Sequence, residues 1–158
     1  MDTREYEQLL TLYLDSVYRV ALSGCRNRAD AEDVVQNTFI KLWERQEPFE
    51  DEEYARKWLI RVTVNECHSL WRTPWMKRTT YLEEMTAEPA FSMPERSVLY
   101  YAVLELPVKY RQVVYLYYFE EYSVKEIAEL IKLSETAVQT RLLRARQKLK
   151  ETMKGAWK

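Results

Sequence analysis

Hydrophobic positions at the start of the chain recur in steps of three and four: Tyr6, Leu9, Leu10, Tyr13, Val17, Val20 and Ala21. This is the period of a helix with one buried stripe. It predicts a first helix from Thr3 to about Ser23, with Gly24 suited to the helix end. A second helix opens at "DAED", where Asp30 can cap it and Glu32 and Asp33 suit the positive first turn. It runs to about Arg45, with Val35, Phe39 and Leu42 as the inward stripe. Residues 46–54, "QEPFEDEEY", read as an acidic loop broken by Pro48, and a third helix follows from about Glu52 to Trp71. Between residues 72 and 95 the apolar period fades and three prolines appear, the pattern of a linker.

Helical spacing resumes at Pro94 and predicts helices over 98–106 and 108–119, with Pro94 and Pro107 each where a helix can start. Ser123 then caps a short helix over 124–131, and Glu126 completes a capping box. "KLS" turns the chain, and a long basic helix begins near Ser134. A short helix, a tight turn and a longer basic helix make a helix-turn-helix. Ile127, Ala128 and Ile131 give the first of the pair its inner face, and Leu133 plugs the gap between the two.

Unrolled at about 100° per residue, the last helix has a core stripe of Val138, Leu142, Ala145 and Leu149. Arg141, Arg144 and Lys148 lie along one flank, Arg146 and Lys150 along the other. Thr136, Thr140 and Leu143 point outward, with Gln139 beside them. Short uncharged side chains that reach base edges, between cations that hold phosphates, suit a recognition helix. A basic helix alone fits solvation and the helix dipole equally well. Leu143 opposite the core stripe favours a groove.

Only 2 Gly among 158 residues, and no alternating strand pattern, make the expected fold class all-α. Charge divides the chain. Residues 1–72 carry 10 Lys or Arg against 14 Asp or Glu, and residues 98–158 carry 11 against 7. An acidic front and a basic back suggest two surfaces, the back one facing an anion. Two cysteines without a CxxC, and a single histidine, His68, argue against a metal site and fit a reducing cytoplasm. No paired nucleophile and base and no Gly-rich phosphate loop are present, so neither an enzyme nor a cofactor is expected. The start "MDTREYEQLL" lacks the features of a signal peptide. The longest apolar run, "VVYLYYF", is too short to span a bilayer. A soluble cytoplasmic protein without membrane insertion is expected.

Three blocks carry a family resemblance. "LPVKYRQVVYLYYFEEYSVKEIAELIKLSETAVQTRLLRARQKLK" resembles region 4 of bacterial RNA polymerase sigma factors. "DAEDVVQNTFIKLWER" is similar to their region 2.2, and "ARKWLIRVTVNECHSLWR" to regions 2.3 to 2.4 of the extracytoplasmic-function (ECF) group. The blocks follow the family's order and cover nearly the whole chain. The resemblance implies two small helical domains: a region 2 three-helix bundle over 1–72 and a region 4 four-helix domain with the helix-turn-helix over 95–158, joined by a linker at 73–94. It implies a factor that binds core RNA polymerase and directs promoter-specific transcription initiation. Region 2 would dock on the beta-prime clamp helices and then melt and read the −10 element. Region 4 would read the −35 element as duplex and touch the beta flap. An anti-sigma factor is a further expected partner, beside promoter DNA.

Carried over to this sequence, Asp30, Glu32, Asp33, Gln36 and Asn37 match the polymerase-binding block, Asn37 standing where the family usually has Glu. Arg56, Lys57, Trp58, Arg61 and Asn65 match the melting and −10 face, with Trp58 ranked first as a core residue. Residues 46–54 match the loop that captures a flipped promoter base, and their carboxylates imply bonding to base edges rather than phosphate. In region 4, the −35 set is Ser134, Glu135, Thr136, Gln139, Thr140, Arg141, Leu143, Arg144 and Lys148. Departures from the family are Val64, Ser69, and Lys132 and Thr136 at positions commonly Gly. Two other readings compete. A stand-alone helix-turn-helix regulator would leave "DAED" and the basic third helix unexplained, and a helical protein adaptor would have no salt-dependent DNA affinity.

Overall fold

The computed structural model describes residues 2–71 and 97–154. The chain divides into two compact units, Met1–Glu84 and Met85–Lys158. Among the described residues both are built only from helices.

In the first unit α1 (Thr3–Gly24), α2 (Arg28–Glu44) and α3 (Glu52–Trp71) pack each against the other two. Asp2 caps α1 by accepting the Glu5 N–H at 2.8 Å. The second half of α1 is buried on every side from Val17 to Gly24, while its first half is half-buried or exposed. Around the buried half stand Ala31, Val34 and Leu42 from α2 and Leu59, Ile60 and Val64 from α3. Burying each of the larger of these side chains contributes about 1.5–3 kcal/mol.

The turn between α1 and α2 differs from the expectation. Gly24 stays helical with negative φ, and what its position provides is access to its carbonyl. The Trp71 indole donates to Gly24 O at 2.9 Å, and the Arg26 guanidinium lies 3.9 Å from the Trp71 ring centroid, so the end of α3 closes on the end of α1. The cap of α2 is Asn27, not Asp30, and the helix starts at Arg28. Asn27 Oδ1 accepts the Asp30 N–H at 2.8 Å, while Asn27 Nδ2 donates to Asp30 Oδ2 at 3.0 Å. Extended backbone at Asn27 suits it for the cap, and the Asp30 carboxylate returns a side-chain hydrogen bond to it. The thiols of Cys25 and Cys67 lie buried with sulfurs 3.6 Å apart, not joined in a disulfide.

The second unit holds α4 (Ser97–Leu104), α5 (Val108–Val114), α6 (Val124–Ile131) and α7 (Glu135–Lys154). The last helix packs on the other three, and Val103, Val113, Leu116, Ile127, Val138, Leu142 and Ala145 fill the space between them. α4 stops two residues short of the predicted end. Arg111, only 3% exposed, donates from Nη1 to Leu104 O at 2.7 Å and satisfies a carbonyl that the helix end leaves open. The predicted helix over 108–119 has the expected length without uniform pitch. After Val114 it widens into one π-helical turn, Tyr115–Phe119, where Glu120 N–H bonds Tyr115 O at 3.2 Å. That turn stacks the Tyr115 and Phe119 rings 5.1 Å apart, and the Tyr115 hydroxyl donates to buried Glu120 Oε2 at 3.2 Å.

Candidate nucleic-acid and partner interfaces

α2 turns its inward stripe, Val34, Val35, Thr38, Phe39 and Leu42, to α1 and α3. The opposite stripe carries Asp33, Gln36 and Asn37, all exposed, as is Glu32, which pairs with Arg28 at 3.6 Å. Asp30 is half-buried at the cap and engaged there. Two side chains that sequence reasoning missed extend the stripe: Ile40 is 54% and Trp43 50% exposed. The Tyr6 ring meets Trp43 edge-on at 5.1 Å, and the Tyr6 hydroxyl donates to Phe39 O at 3.2 Å, so α1 holds the indole in place. The signal was there, since both fall outside the inward period of α2 and a solvated helix face does not need them.

The acidic loop is a built structure. Asp51 begins α3 by accepting the Tyr54 N–H at 2.8 Å. Between the exposed half of α1 and the loop lies an open cavity of about 480 Å³, lined by Glu5, Gln8, Leu9 and Leu12 of α1 and by Gln46 to Phe49, Asp51, Glu52 and Ala55. At its edge the Tyr13 hydroxyl lies 3.2 Å from Glu52 Oε1 and 3.4 Å from Glu52 O. Burial, and then the Glu52 carboxylate that takes this hydrogen bond, push the Tyr13 hydroxyl up to about 12.

On α3, Lys57, Arg61 and Asn65 are exposed and four residues apart, one row along the helix. Arg56 stands beside them, half-buried and paired with Glu53 at 3.2 Å. Trp58 is half-buried against the loop, its ring 5.6 Å from Phe49. Val64, a departure from the family pattern, is fully buried, and Ser69 is exposed.

The helix-turn-helix is assembled from local bonds. Ser123 and Glu126 form the complete capping box of α6. Lys132 ends that helix in the left-handed region, φ 59 and ψ 46, and the N–H groups of Lys132 and Leu133 both reach Ala128 O. Ser134 starts α7 by accepting the Ala137 N–H at 3.1 Å. Val138, Leu142 and Ala145 are buried, which leaves Glu135, Thr136, Gln139 and Leu143 exposed on the far side, Leu143 at 55%. Thr140 is half-buried, and its hydroxyl donates to Thr136 O at 3.0 Å.

Aromatic rings anchor the flanking cations. Lys148 Nζ lies 5.8 Å and Lys109 Nζ 5.1 Å from the Tyr110 ring. Burial raises the Tyr110 hydroxyl, but Lys109 and Arg144 beside it more than offset this and hold it below its ordinary value. On the other flank Arg146 Nε donates to the Tyr118 hydroxyl at 2.6 Å, with its guanidinium near the rings of Tyr117 and Tyr118. Arg141 is half-buried and Arg144 exposed. The outer face of α7 therefore carries an uncharged row between two sets of cations, of which Lys148 and Arg146 lie against tyrosine rings.

Among the described residues no group of three or more His, Cys, Asp or Glu could hold a metal ion, and no helix is long and apolar enough to cross a membrane.

Comparison with known proteins gives the following. Residues 9–76 match the family model Sigma-70 region 2, and residues 96–149 match Sigma-70, region 4. The chain is 28% identical over 151 residues to the ECF RNA polymerase sigma factor SigM of Bacillus subtilis, covering 91% of this chain and 92% of that one. It is 26% identical to SigW of the same organism, over 97% and 91% of the two chains. Among solved structures, the sigma factor RpoE in complex with the anti-sigma factor NepR from Bartonella quintana superposes with a TM-score of 0.73 at 25% identity, covering 96% of this chain and 98% of that chain. CnrH, in complex with the cytosolic domain of CnrY, gives a TM-score of 0.58 at 26% identity over 98% and 90%.

Proposed function

The chain belongs to the ECF group of the sigma-70 family, and on that premise we propose how its surfaces divide the work of promoter-directed transcription initiation. α2 docks on the beta-prime clamp helices of core RNA polymerase through Asp33, Gln36 and Asn37, with Glu32 and Asp30 at the helix start. Ile40 and Trp43 add the apolar centre that a stable protein contact needs. The row Lys57, Arg61 and Asn65, with Arg56 beside it, engages the melting −10 element, and the cavity under the acidic loop accepts one flipped base. Its carboxylates repel phosphate and can accept from base amino groups.

α7 enters the major groove of the −35 element. Thr136, Gln139 and Leu143 face base edges, while Arg141, Arg144 and Lys148 hold phosphates. Ser134, Glu135 and Thr140 stand at the entry: Ser134 fixes the helix start, and the hydroxyl of Thr140 is engaged with the backbone, so its methyl is what it offers to a base. The second unit also meets the beta flap. The residues expected to form the linker, 73–94, lie outside the described residues. An anti-sigma factor is a partner of this chain, a reading supported by the similar sigma factor RpoE, which is described in complex with the anti-sigma factor NepR.

The observation that carries this reading is the outer face of α7, an exposed uncharged row with a 55% exposed Leu143 between ring-anchored cations. Run-off transcription with core bacterial polymerase on a promoter library, with and without the chain, tests it. The expected result is transcripts from a restricted promoter set only when the chain is present. A specific footprint on duplex DNA without polymerase, and no effect on transcription, overturns it in favour of a stand-alone regulator.

A further inference from the structure

The loop that walls the cavity beside α1 carries one cation among carboxylates. Between Lys41 and Arg56 the only basic side chain is Arg45, amid 6 Asp or Glu. Arg45 is the residue just past the end of α2: its backbone is already extended, and its N–H bonds Leu42 O, which ties it to the last turn of the helix. Its side chain folds back over the loop. Nε donates to Glu47 O at 2.9 Å, and the guanidinium lies 4.3 Å from the Phe49 ring centroid and 5.1 Å from that of Trp58. Phe49 in turn meets Trp58 at 5.6 Å and Tyr54 at 6.0 Å.

Glu47 and Phe49 both line the cavity, and Arg45 does not. The side chain therefore touches two points of the wall without lining the cavity, one by the Nε hydrogen bond to Glu47 O and one by the cation–π contact with Phe49. A lysine ammonium is a compact charge on a flexible stem. It has no donor at the Nε position and no flat face to stack.

We propose that Arg45 is the positioning and specificity-determining residue of the base-capture cavity. It holds Glu47 and Phe49 so that the wall has one shape before the base arrives, and that shape selects the base. The proposal rests on the base-capture reading above. Pre-organisation of this kind acts on discrimination, because a loop that must be ordered at the moment of binding adapts to several bases.

The test uses holoenzyme reconstituted from core polymerase and the full chain, as wild type, Arg45→Lys and Arg45→Ala. Run-off transcription is measured on four promoters that differ only at the captured −10 position. Fluorescence of 2-aminopurine at that position of the non-template strand reports extrusion of the base. Arg45→Lys is expected to shrink the ratio between best and worst base by about fivefold or more, within the range one mismatched base costs. It should also lower the fluorescence gain, with core binding and −35 preference unchanged. Arg45→Ala should behave as Arg45→Lys does, because charge alone does not hold the wall. A lysine variant that keeps both the wild-type ratio and the wild-type fluorescence overturns the proposal, as does loss of core binding in step with loss of discrimination, which marks general loosening. A wild-type chain indifferent to all four bases overturns the base-capture reading itself, and the proposal with it.

Discussion

At the scale of single residues, the role proposed for α7 separates holding from reading. Gln139 is exposed in the uncharged row between the cationic flanks, and replacing it with Ala is expected to change −35 preference by about 1–3 kcal/mol at one base position. Competition binding of holoenzyme to a set of −35 variants measures this, and unchanged preference across the set would remove Gln139 from the reading row. Lys132 gives a stability prediction. A left-handed conformation costs a non-glycine residue about 1–2 kcal/mol, and Gly adds about 0.5–1 kcal/mol of unfolded-chain entropy in return. Lys132→Gly should therefore stabilise the second unit by about 0.5–1 kcal/mol in urea unfolding. Much at this scale was legible in the sequence. The capping box of Ser123 and Glu126 and the bounds of α6 follow from local rules alone. Asn27 was not, because Asn and Asp are equally good caps and the backbone turn decides between them. Arg111 was not either, since a cation reads as surface until the open carbonyl of Leu104 appears beside it.

Between elements, the hydroxyl of Tyr13 ties α1 to the first residue of α3. Its proton leaves the unfolded chain near pH 10 and the folded chain only near 12. In that window the folded state holds a proton that the unfolded state has lost, so stability falls as pH rises. The contribution of Tyr13 is fully present below about pH 10 and disappears towards 12. Tyr13→Phe should be less sensitive to this alkaline range than wild type when denaturant midpoints are compared across it; equal slopes would deny the bond its role. The limits of legibility at this scale are physical. Inward stripes such as Val35, Phe39 and Leu42 repeat with the helix period and can be read in one dimension. The sulfurs of Cys25 and Cys67, the cavity under the acidic loop and the wider turn at Tyr115–Phe119 depend on residues distant in sequence or on a change of pitch, and no local period encodes them.

At the scale of the molecule, the acidic front and basic back sit in separate compact units. Asp33 is exposed on the outer face of α2, so Asp33→Lys should leave helical content and unfolding within about ±0.5 kcal/mol of wild type. The same change should abolish co-purification with core polymerase, and retained co-purification would count against α2 as the docking face. The division of charge also governs the free protein in solution. A net charge of −1 gives copies little reason to stay apart near neutral pH, and the acidic unit of one copy attracts the basic unit of another. Added salt screens such attraction, and it would weaken the proposed hold of the basic unit on phosphates as well. On the proposed function, the ionic strength that best disperses the isolated chain is therefore the one at which its DNA affinity is poorest, and core polymerase docked on α2 would relieve the conflict by covering acidic surface.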